Sequence, residues 1–105
     1  MGYDVVVLDE AERKRLGHIE LSMDEQFDIE RVALAHGLPV LASFPQYWDD
    51  DCHIPLGQLR ALLEELARMQ GLPSMTAATL TAVDKLRRIV AIAVRHERPL
   101  EVVPD

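Results

Sequence analysis

Tyr3-Asp4-Val5-Val6-Val7-Leu8 and, beyond a charged connection, Gly17-His18-Ile19-Glu20-Leu21-Ser22 are the stretches that decide the fold class of this chain. The first is short and β-branched and reads as a buried strand. The second alternates polar and apolar side chains from His18 to Leu21, the pattern of a strand with one buried face. Between them Asp9 to Arg15 is charged except for Ala11, which suits a solvated connection. Together they predict an antiparallel hairpin with a loop longer than the tight two-residue kind.

Outward from the hairpin, Ser22-Met23-Asp24-Glu25 is a capping box and predicts a helix to about His36, stopped by Gly37 and Pro39. Leu38 to Gln46 holds two prolines and reads as a short edge strand or an extended crossing. Pro55 sits where a first-turn proline belongs, followed by Leu56, Leu59, Leu63 and Leu66 at helical spacing, with Leu62 and Met69 widening the stripe. Gly71 and Pro73 end that helix. A last helix is predicted from near Thr76 to about His96, with Leu80, Val83, Leu86, Val90 and Val94 on one face and Ile89, Ala91, Ile92 and Ala93 adding apolar character. Pro99 stops it, and Leu100 to Val103 reads as a strand returning to the hairpin. The expectation is an α+β fold: a small antiparallel sheet, made of the N-terminal hairpin and a C-terminal strand, covered by about three helices.

At 105 residues the chain is read as one domain, 1–105, with 49% hydrophobic residues to build a single core. The lone cysteine, Cys52, excludes an intramolecular disulfide. No signal peptide is visible at the start, and the longest strongly apolar run, Ile89 to Val94, falls far short of the ~20 residues that cross a bilayer. A cytoplasmic protein with no membrane partner is expected.

The formal charge is -7, which argues against a phosphate-neutralising surface and a nucleic-acid partner. Its distribution is more informative than its size. Between residues 20 and 51 stand Glu20, Asp24, Glu25, Asp28, Glu30, Asp49, Asp50 and Asp51 against Arg31 alone, while the flanking segments nearly balance. The same span carries Phe27, Phe44, Tyr47 and Trp48. Carboxylates steer a basic partner, and aromatic side chains supply anchor area once contact is made. The predicted partner-binding residues are therefore Tyr47, Trp48, Asp49, Asp50 and Asp51, flanked by Asp24, Asp28 and Glu30. The plainer use of the same residues is a helix start, a core tryptophan and a solvated loop.

Other chemistry finds little support. Asp49 to His53 mixes hard and soft ligands without zinc or EF-hand spacing, so no metal and no cofactor are expected. Cys52 and His53 are adjacent, which seldom makes a nucleophile and its base. Glu64 and Glu65 are neighbours on a helix and face different ways. No glycine-rich phosphate loop or nucleophile elbow occurs, and no catalytic residue is assigned. Lys85, Arg87, Arg88, Arg95 and Arg98 load the last helix and its end with base, more simply used in pairing with the acidic half.

The opening YDVVVLDE and GHIELS, the block LPVLASFPQYWDDDCHIPLGQLRALLEELARM (38–69) and the closing LEVVPD resemble in layout the small acidic immunity proteins that accompany secreted bacterial toxins in contact-dependent and polymorphic-toxin systems. The resemblance implies a non-enzymatic protein that binds one cognate toxin tightly, often through acidic loops. With the charge pattern, the expected function is occlusion of a toxin domain, a basic nuclease being the class that an acidic–aromatic surface fits best. The alternative is an interaction module or homodimer that docks through its apolar helix faces.

Overall fold

The hairpin forms as its alternation requires. In the computed structural model, which describes residues 2–9, 14–42, 52–73 and 75–104, β1 (Gly2–Asp9) pairs antiparallel with β2 (Lys14–Ser22), Val5 opposite Ile19 and Tyr3 opposite Leu21. The register shifts between Val7, which pairs with Gly17, and Leu8, which pairs with Arg15, so Leu16 is an extra residue in β2. The chain then continues through α1 (Met23–Ala35), α2 (Pro39–Ala42), β3 (Cys52–Ile54), α3 (Leu56–Gln70), α4 (Ala77–Arg95) and β4 (Leu100–Pro104). The sheet order is β2-β1-β4-β3, antiparallel throughout. The fold is α+β, and β4 returns to the hairpin as its sequence predicts.

Strand alternation sorts the side chains. Tyr3, Val5, Val7, Leu21, Ile54, Leu100 and Val102 enter one core with Ile29, Ala33, Leu38 and Leu41, the inner faces of α3 and α4 completing it. Gly17 matters to that packing. A Cβ there would lie 2.7 Å from Cδ1 of Ile89 and 3.0 Å from Cδ1 of Ile92, so the glycine lets α4 settle close against β2.

The capping box at α1 is complete: Ser22 Oγ accepts from the Glu25 amide at 3.1 Å, and the Glu25 carboxylate accepts from the Ser22 amide at 3.0 Å. Gly37, at φ 67°, ends the helix, and the Leu38 amide donates to the Ala33 carbonyl at 2.9 Å. Lys85 of α4 then ties three elements together, its Nζ donating to the Glu20 carbonyl at 2.9 Å and to the Glu25 carboxylate at 2.9 and 3.0 Å.

Four readings of the sequence are corrected. Residues 39–42 form a helix, α2, where a strand or extended crossing was expected. The sheet has a fourth strand, β3, drawn from the Cys52–Ile54 stretch and paired with β4. Pro55 is the N-cap of α3 and not its first helical residue, its carbonyl accepting from the Gln58 amide. In α4, Leu80 is exposed while Thr79, Ala82, Ile89 and Ala93 are buried with Val83, Leu86 and Val90, so the inner face is rotated from the one predicted. No helix among the described residues is long and apolar enough to cross a membrane.

Candidate acidic interaction surface

Of the predicted partner-binding residues, Tyr47, Trp48, Asp49, Asp50 and Asp51 lie outside the described residues. The segment that holds them runs between Ala42, the last residue of α2, and Cys52, the first of β3. The other three, Asp24, Asp28 and Glu30, all stand on α1, and the structure shows what surrounds them.

An amphipathic helix ordinarily buries its apolar residues and exposes its polar ones. α1 departs from that in both directions. Its inner face consists of Gln26, Ile29 and Ala33, all fully buried, and the Gln26 amide finds no hydrogen-bond partner among the described residues. Its outer face carries Phe27 at 43% and Leu34 at 63% exposure, seven residues apart and so on one side of the helix. Phe27, Glu30, Arg31 and Leu34 line an open groove on that face. Asp24 stands one turn before Phe27, and Asp28 lies beside the groove next to Arg31.

Charge on this face is only partly compensated within the chain. Arg31 donates to Asp28 at 2.9 Å across one helical turn, an exposed pair of small energetic weight. Among the described residues Asp24 and Glu30 make no ion pair. Glu25 is the exception on α1: burial alone would raise its pKa, but the Lys85 ammonium and the Ser22 amide outweigh that and hold the carboxyl below the ordinary 4.5 of a glutamate. Glu25 therefore serves the fold, while exposed Asp24 and half-buried Asp28 and Glu30 stand near two exposed apolar side chains.

Phe27 belongs to the aromatics of the acidic span, but composition alone does not place it on this surface, and Leu34 has no such mark. The signal was present in the seven-residue spacing, out of phase with Ile29 and Ala33.

Of the basic residues expected to pair with the acidic half, Lys85 is the one shown doing so among the described residues, and Arg87, Arg88 and Arg98 find partners elsewhere. Lys85 pairs with Glu25, Arg88 with Asp84 at 2.8 Å, and Arg87 donates to Gln70, while beyond the helix Arg98 donates to the Leu8 carbonyl. In the α3 stripe offered for self-association, from Leu56 to Met69, Leu59, Leu62, Leu66 and Met69 are fully buried in the chain's own core, while Leu63 is half-buried and Leu56 exposed. Comparison with protein-family models, curated proteins and solved structures returns no match for this chain.

Proposed function

We propose that this chain is an immunity-type inhibitor that binds a cognate bacterial protein toxin, a basic nuclease domain, and neutralises it by occlusion. The observation that carries the reading is the outer face of α1, where exposed Phe27 and Leu34 stand among Asp24, Asp28 and Glu30. The acids draw in a basic surface and raise the association rate, and the apolar pair supplies area to desolvate on contact. Tyr47, Trp48 and Asp49 to Asp51 extend the same chemistry in the acidic segment that follows α2. Inhibition of this kind needs no catalytic group: the protein acts by covering a cleft that nucleic acid would otherwise enter.

The test is a pull-down of the partner from native cells, followed by co-expression of the captured toxin domain with this chain. The wild-type chain is expected to restore growth and to form a one-to-one complex. A Phe27→Ala, Leu34→Ala variant and a Trp48→Ala, Asp49→Ala, Asp50→Ala variant are each expected to dissociate faster, at a cost of about 2 kcal/mol or more. Absence of rescue and of binding by the wild-type chain overturns the function. Unchanged binding by both variants, each shown to be folded, overturns the surface.

A further inference from the structure

The helices lie on the sheet face that carries Tyr3, Val5 and Val7, and the alternate residues of β1 and β2 point the other way. There the register sets Asp4 opposite Glu20 and Val6 opposite His18. The pairing brings two carboxylates together on one sheet face, with an imidazole beside them. His18 Nε2 lies 3.0 Å from Asp4 Oδ1, and one donor atom from each of Asp4, His18 and Glu20 falls within 4.8 Å of the others. Both Asp4 and His18 are about one-third exposed, so the group opens onto solvent.

From this geometry we infer a divalent metal site on the face of the hairpin turned away from the helices, with Asp4, His18 and Glu20 as its protein ligands and a first-row transition ion such as zinc as its occupant. Metal–ligand bonds of about 2.0–2.2 Å at tetrahedral angles set neighbouring donor atoms roughly 3.4 Å apart, so the ion replaces the 3.0 Å hydrogen bond between His18 and Asp4 with a small opening of that pair. Exposed Glu20 has room to complete the set. One imidazole nitrogen with two carboxylates selects zinc and its neighbours over calcium or magnesium, which take oxygen ligands throughout. The ion neutralises the opposed carboxylates and staples the edge strand β2 to β1. Because its ligands come from both strands and β2 runs straight into the N-cap of α1, an occupied site stabilises the folded hairpin by linkage. This site is separate from the α1 surface and stands or falls without it.

Calorimetric titration of the full chain with zinc chloride at neutral pH tests the inference. One ion per chain is expected, with zinc shifting the His18 imidazole resonances in NMR spectra. His18→Gln and Asp4→Asn should each weaken binding by about tenfold or more. A Cys52→Ser, His53→Gln variant removes the other soft and imidazole donors of the middle segment and should bind as the wild type does. No saturable binding below about 1 mM zinc overturns the site, as does full-strength binding by His18→Gln or loss of binding in the Cys52→Ser, His53→Gln variant.

Discussion

Glu97 adopts φ 52° immediately after α4, the backbone conformation that Gly37 adopts at φ 67° immediately after α1. Both helices end in the same hydrogen-bond pattern: Arg98 donates back to Ala93 at 2.9 Å as Leu38 does to Ala33. In one case the left-handed position falls on glycine, in the other on a residue whose Cβ resists it. Glu97→Gly should therefore raise stability by about 0.5–1 kcal/mol, the relief of strain exceeding the extra entropy of glycine in the unfolded chain. Urea denaturation reads this directly, and an unchanged or lower midpoint refutes it. The two ends were unequally legible. Gly37 announces its own conformation, whereas the break after α4 was credited to Pro99, although the chain has already left the helix at His96. Nothing local in Glu97 signals a left-handed residue; the pull comes from the strand that β4 must join.

α2 shows how a short element depends on a distant one. A helix of four residues has no cooperative length of its own. Pro39 presets its first backbone angle, and the amides of Val40 and Leu41 then need acceptors. Both are met by the Glu65 carboxylate from α3, at 3.1 and 3.0 Å, in a side chain only 7% exposed. Glu65→Leu removes the carboxylate that both amides donate to and should cost about 3 kcal/mol, whereas Glu65→Gln keeps one acceptor and should cost about 1 kcal/mol. Comparable losses for the two, measured in urea, would show that Glu65 only fills space. As neighbours on a helix Glu64 and Glu65 face different ways, and Glu64 is exposed; the sequence alone does not point Glu65 at an acceptorless amide. The partner amides lie in a segment whose prolines, read alone, favour extended backbone.

For the molecule as a whole, Lys85 is the point where the acidic span meets the basic helix. It joins the end of β2, the capping box of α1 and the middle of α4. Because Glu25 titrates below its ordinary 4.5 in the folded protein, its contribution is present above that value and is lost as pH falls through the lowered pKa. The stability of the wild-type chain should accordingly fall below about pH 4.5 more steeply than that of Lys85→Met. At neutral pH that variant should be less stable by about 1 kcal/mol, a modest figure because the ammonium is partly exposed. Thermal denaturation at a series of pH values checks both, and identical acid limbs would remove Lys85 from this role. The formal charge of -7 thus divides, among the described residues, into carboxylates that hold the fold and carboxylates that face outward.

The hairpin, the capped α1, the two long helices and the returning strand were all readable from residues alone, because periodicity, caps and turn residues act within a few positions of one another. The helix at 39–42, the strand at 52–54 and the inward face of α4 were not. Each depends on a partner far along the chain: Glu65 for α2, β4 for β3, and Gly17 of β2 for the approach of Ile89 and Ile92. The same division holds for the surface. Composition located the acids and the aromatics in one span, but only packing could show Gln26 turned inward and Phe27 and Leu34 turned out, since which face of a helix is buried is settled by what the rest of the chain lays against it.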